Sequence, residues 1–163
     1  MVESVNSLLD SVPDWLHVLI IAMLPIIELR GALPYGVLLL KMPILKTVIL
    51  SVVGNMIPAP FIVYLAKKIL DKMLISPNGK IVGLARAIER RGFKRSAKIE
   101  KYTFWGLIVF VGIPLPGTGV WTGSLIASLL RLDPQKSILA VFLGTLMASV
   151  IVSVLIKMGI MLF

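Results

Sequence analysis

The sequence predicts an all-α integral membrane protein: two re-entrant helical hairpins, each followed by a transmembrane helix, arranged as an inverted repeat around a basic cytoplasmic amphipathic helix. Three observations predict it. The 163 residues are 58% hydrophobic and only 15% charged, with a mean hydropathy of +0.97. A soluble domain averages about 45–50% apolar residues and about a quarter charged. Two segments stay apolar for long enough to cross roughly 30 Å of hydrocarbon, and four others stop at about half that length.

The two full spans are residues 44–66 and 137–156. The first has 23 residues with one charge, Lys46, and the second has 20 residues with none. Pro43 stands just before the first span, where a helix tolerates proline. Asp133-Pro134 precedes the second, an N-cap acceptor followed by a proline at the first helical position.

The half-length segments are 16–27 and 32–40, separated by Glu28-Leu-Arg30-Gly31, and 102–113 and 120–130, separated by PLPGTG. Proline and glycine in an apolar segment free backbone amides and carbonyls, which hydrocarbon tolerates only under a cover of protein or water. Two hairpins that enter and return on the same face solve this. Gly31, Pro34 and Gly36 are expected to shape the first break.

Charge sets the orientation. Between residues 67 and 101 lie eleven of the 17 Lys and Arg, against Asp71, Glu89 and Glu100. The first 14 residues carry Glu3, Asp10 and Asp14 without a basic residue. Cytoplasmic loops collect Lys and Arg, so the basic loop belongs inside an inner membrane and the N-terminal tail outside it. That tail has no basic n-region of a cleaved signal peptide. Within 80–101, Ile81, Leu84, Ala85, Ile88, Gly92 and Ile99 follow helical spacing between basic residues. This fits an amphipathic helix on the anionic leaflet, or a solvated basic helix that only sets orientation. A nucleic-acid partner is not expected. The chain reads as one membrane domain: tail 1–14, hairpin and helix 15–66, basic loop 67–101, hairpin and helix 102–163.

Landmarks recur between the halves. Gly54 precedes Lys67 by 13 residues and Gly144 precedes Lys157 by 13, while Pro43 and Pro134 precede those glycines by 11 and 10. With opposite orientations, this is the plan of many secondary transporters, whose sites lie near the midplane where broken helices meet.

Glu28 is the only carboxylate between Asp14 and Asp71. At membrane depth a carboxylate costs about 2.5 kcal/mol or more, so it is a candidate to exchange a proton or face a cation. A static pairing with Arg30, or an N-cap for the second half-helix, is the competing reading. Arg30 offers a guanidinium fork for a carboxylate or phosphate, and the following half-helix adds the positive end of its dipole. In the second hairpin, Pro114, Pro116, Gly117, Thr118, Gly119 and Thr122 form the uncharged counterpart. Asn55, beside Pro58 and Pro60, either bonds carbonyls freed by the prolines or lines the site. Thr145, Ser149 and Ser153 form a small-residue stripe suited to close helix packing. Trp15, Trp105 and Trp121 fall near hairpin ends, as interfacial residues do. The lone histidine, His17, and the absence of cysteine argue against a metal or thiol site. No nucleophile–base pair suggests an enzyme, and no cofactor is expected.

ELRGALPYG (28–36) and IPLPGTGVWTG (113–123) resemble the two signature segments of the small multidrug export family, and the resemblance covers nearly the whole chain. That family is similar to the DedA/VTT (SNARE-associated Golgi protein) superfamily, whose members carry two re-entrant hairpins, each packed with a transmembrane helix. The resemblance implies a small DedA-like transporter, ion- or proton-coupled, that moves a lipid (polyprenyl) phosphate or an amphiphilic small molecule. Arg30 would hold the phosphate and Glu28 would couple to protons. This chain is shorter than a typical DedA protein and has no charge in its second hairpin to match theirs. The alternatives are a multidrug or toxic-cation exporter, and a non-transporting scaffold whose charges pin the hairpins together. Membrane lipids are expected partners, and a homodimer would cover the polar backbone of half-length hairpins.

Overall fold

The computed structural model describes residues 13–83, 85, 86, 97–115 and 117–159, and among these every regular element is helical. Helix α1 (Asp14–Met23) is followed by α2 (Glu28–Pro34), which runs into a π-helical turn (Tyr35–Leu39). Next come α3 (Ile44–Met56) and α4 (Pro58–Leu74), joined through Ile57 in helical conformation. The second half holds α5 (Ala97–Gly112), α6 (Val120–Leu129) and α7 (Pro134–Lys157). Two helices are long and apolar enough to cross a membrane: the 31 residues Ile44–Leu74 and the 24 residues Pro134–Lys157.

Three boundaries differ from the sequence reading. The first long helix runs to Leu74, eight residues past the expected end at Ala66. Its last turns carry Lys67, Lys68, Asp71 and Lys72 on exposed or half-buried positions, because a helix continues beyond its apolar stretch when its polar residues can face solvent. Likewise α5 starts at Ala97, inside the segment read as loop. Residues 79–83, 85 and 86 of the basic segment are helical, and the rest of the expected amphipathic helix, like the tail 1–12, lies outside the described residues.

The first turn also comes early. The sequence places the break at residues 28–31, whereas α1 stops at Met23 and the chain turns through 24–27. Pro25 is the cause. A residue before proline is pushed out of helical conformation, and Leu24 is extended, with φ −71° and ψ 136°. Pro34 and Gly36, expected to shape the break, sit inside the returning arm. Past Pro34 the helix widens: Leu40 N donates to Tyr35 O at 3.2 Å, and Met42 N to Gly36 O at 2.9 Å. Gly36 is a packing residue, since a Cβ there would run into Thr47 and Val18.

Each half is a short hairpin laid against a long helix. In the first, α1 lies on α3, with Gly54 against the backbone carbonyl of Leu19 and the methyl of Ala22. In the second, α5 lies on α7, with Gly144 against the carbonyl of Ile108 and the side chain of Val111. Both glycines are the landmarks that recur in the sequence, and both permit backbone-to-backbone approach, the role small residues play where membrane helices pack. Thr47 and Ser137 also correspond: each is buried and bonds the carbonyl four residues back, Pro43 O at 3.1 Å and Asp133 O at 2.7 Å. Asp133 caps α7 as expected, accepting from Lys136 N at 2.8 Å.

The returning arms cross over. Leu29 and Leu33 of α2 join Ala148, Val152 and Ile156 of α7 in one apolar cluster. The arm α6 packs on α4, where Val120 and Ala127 cluster with Ala59 and where Arg131, just past α6, pairs with Asp71 at 2.7 Å. Each hairpin is thus held by both long helices. Its turn lies beside their middles, near Met56 on one and Met147 on the other.

Candidate functional site

The two hairpin turns meet. On the first side stands Glu28, the first residue of α2, with a left-handed backbone at φ 51°. Such a conformation costs a non-glycine residue on the order of 1–3 kcal/mol and persists where surrounding structure demands it. The demand is visible opposite. Helix α6 starts at Val120 after Gly119, which has no side chain to cap the open amides. A buried helix start needs acceptors from elsewhere, and Glu28 supplies one: its Oε1 accepts from the backbone N–H of Trp121 at 3.2 Å. The positive end of the α6 dipole thus faces the carboxylate. Gly119 makes the approach possible, because a Cβ there would occupy the space of that carboxylate.

Two further bonds lock the same junction. Arg30 donates from Nη2 to the hydroxyl of Thr118 at 3.0 Å, and that hydroxyl lies 2.7 Å from Ile113 O and 2.9 Å from Leu115 O of its own turn. Trp121 donates from its indole Nε1 to Met23 O at 3.1 Å, satisfying a carbonyl at the end of α1. Glu28 and Arg30 form no ion pair with each other. Both reach across to the second hairpin instead.

Between them lies a small cavity, with room for about one water molecule, lined by Glu28, Leu29, Arg30, Asn55, Val111, Gly119, Val120, Thr145 and Ala148. Asn55 is 3% exposed and its Oδ1 has no donor. It does not bond the carbonyls freed by Pro58 and Pro60; it lines the site. Thr145, read as part of a packing stripe, stands opposite, donating to Val141 O at 2.8 Å and lying 3.8 Å from the sulfur of Met56.

Of the residues the sequence singles out, Glu28, Arg30, Asn55, Thr118 and Gly119 are brought together. Gly117 shapes the second turn, with φ +81°. Gly31 lies under the side chain of Ile27, which a Cβ would strike. Pro34, Gly36 and Thr122 stand outside the cavity lining, as does Pro114, which is half-buried in the turn. Pro116 lies outside the described residues. Two helix starts meet at this junction, α2 at Glu28 and α6 at Val120, and the Glu28 carboxylate accepts from the α6 side. Sequence reasoning missed Trp121, which faces the first hairpin with both its N–H groups, and Thr145. Trp15 and Trp105 are exposed.

A family model described as "Putative small multi-drug export protein" matches residues 28–151, a stretch that begins at Glu28 and takes in both hairpin turns. No curated protein and no solved structure matches the chain.

Proposed function

The chain belongs to the small multi-drug export protein family, and from that premise we propose that it is a gradient-driven membrane exporter of cationic amphiphiles with Glu28 as the exchange site. One observation carries the reading. The only carboxylate at the junction of the two hairpins is buried and held by the amide of a half-length helix, next to a cavity too small for an amphiphile. A transporter needs such a closed junction between its two open states, and the carboxylate is where an exported cation and a coupling ion exchange.

The same reading makes each hairpin re-entrant and the halves an inverted repeat. Its supports are the paired glycines Gly54 and Gly144 on the arm carbonyls, the crossed arms, and turns that lie beside the middles of both long helices. The basic segment 67–101 then faces the cytoplasm of an inner membrane. Single cysteines at Lys41, Asn78 and Gln135 test this with membrane-impermeant thiol reagents. Lys41 should label from outside and the other two only from inside; labelling of Lys41 and Gln135 on one side removes the inverted arrangement.

The function itself is tested in proteoliposomes, where an imposed ion gradient should drive ethidium movement. Glu28→Gln should reduce the rate about tenfold or more, a loss of at least about 1.4 kcal/mol at the rate-limiting barrier. Wild-type rates in a well-folded Glu28→Gln protein would remove Glu28 from the exchange site. A lipid-phosphate substrate is the second reading, favoured by the placement of Arg30 at the same junction. It expects Arg30→Ala to abolish flipping of a fluorescent polyprenyl phosphate, with no ethidium movement in the wild type.

A further inference from the structure

We propose that the coupling ion is a proton and that Asn55 holds it together with Glu28. The carboxyl O–H of protonated Glu28 donates to Asn55 Oδ1, directly or through one water. This rests on the reading of Glu28 as the exchange site and adds the identity of the ion and its second ligand.

The argument starts from an orphan. Asn55 is 97% buried by its 3% exposure, and its Oδ1 accepts nothing. A buried acceptor without a donor costs about 1–3 kcal/mol, and such groups in native proteins call for an explanation. No donor around the cavity reaches that oxygen. The Trp121 amide serves Glu28, the Thr145 hydroxyl serves Val141 O, and Arg30 reaches to Thr118. Asn55 Oδ1 lacks a donor, and protonation of Glu28 creates one beside it. In the charged state the carboxylate accepts from α6; in the neutral state one oxygen becomes a donor and the orphan is satisfied.

A metal cation fits less well. Hard cations take several oxygen ligands, whereas this space holds about one water and Arg30 stands in its wall. Arg30 is the one charged neighbour lining the cavity. From the other elements come Asn55 on α3, Val111 on α5, Gly119 and Val120 at the start of α6, and Thr145 and Ala148 on α7, none of them titratable. Protonation therefore changes the charge of a single group at the point where the hairpins are joined, and loosens its hold on the α6 amides.

Two measurements on the full-length protein test this. In acid-minus-neutral infrared difference spectra, the wild type should show, among its protonated-carboxyl bands, one that moves down in D2O and is missing from Glu28→Gln. In Asn55→Ala that band should move to higher frequency, because the carboxyl loses its acceptor; a merely structural role for Asn55 leaves it in place. In proteoliposomes, a pH gradient alone should drive wild-type ethidium export and a sodium gradient alone should not, with Asn55→Ala slower by about tenfold. Export driven by sodium without a pH gradient overturns the choice of ion, and an unmoved band overturns the role of Asn55. If the wild type moves no ethidium under any gradient, the exporter reading fails, and the band comparison still decides for or against Asn55.

Discussion

Gly119→Ala is expected to disconnect the two hairpins and abolish export, although it adds a single methyl group. The new Cβ falls where the Glu28 carboxylate now lies, and that carboxylate cannot yield without leaving the Trp121 amide. A hydrogen bond to a charged group contributes about 1.5–3 kcal/mol, and a buried charge left without one costs at least as much again. The variant should therefore unfold in detergent at lower denaturant or temperature than wild type. Its rate of gradient-driven ethidium movement should fall to that of empty vesicles. Gly119→Ala combined with Glu28→Ala separates the two causes: removing the carboxylate makes room for the methyl, so the double variant should recover stability without recovering export. A Gly119→Ala protein as stable and as active as wild type would mean that the carboxylate does not sit against this glycine.

Gly54→Ala and Gly144→Ala should each destabilise the fold, against the direction set by helix propensity. In an exposed helix interior, replacing glycine by alanine gains about 1 kcal/mol. Here the added methyl meets backbone: the Leu19 carbonyl for Gly54, and the Ile108 carbonyl with the Val111 side chain for Gly144. Backbone moves only if the hairpin arm shifts off its long helix, and such overpacking costs about 1–3 kcal/mol. Gly106, on α5, is the internal control. Nothing lies within 4 Å of a Cβ built there, so Gly106→Ala should be neutral or slightly stabilising. Equal melting temperatures for Gly106→Ala and Gly144→Ala would refute the close approach.

The division into long and half-length segments is legible because it depends only on how many apolar residues run together, and residues 44–56, 58–66 and 137–156 are helical where that count places them. The first turn is hidden in the sequence because the charges at Glu28 and Arg30 mark a polar point further on, while Pro25, through its backbone effect on Leu24, ends the helix. The site was half legible. Glu28 and Arg30 announce themselves as charges in an apolar run, but their partners are a backbone amide and a threonine hydroxyl 93 and 88 residues away. Spacing along the chain carries no information about such a pairing. One signal does lie in the sequence: Gly119 precedes an apolar helix without a capping side chain, so the start of α6 has to find an acceptor elsewhere. The nearest apolar segments offer one carboxylate. In the sequence Asn55 admits two readings and Thr145 reads as packing, because an uncharged polar residue in a span has several local uses, and only packing chooses among them.

Trp121 gives the molecule an optical gauge. Its amide and its indole both donate to the first hairpin, one to Glu28 and one to Met23 O, so no movement that parts the hairpins can leave the ring's surroundings unchanged. The other two tryptophans, Trp15 and Trp105, lie on the exterior, and phenylalanine in their places would leave a single tryptophan, excited selectively at the red edge where tyrosine does not absorb. The colour of that emission would then follow the opening of the junction in real time, with no dye attached and no substrate needed.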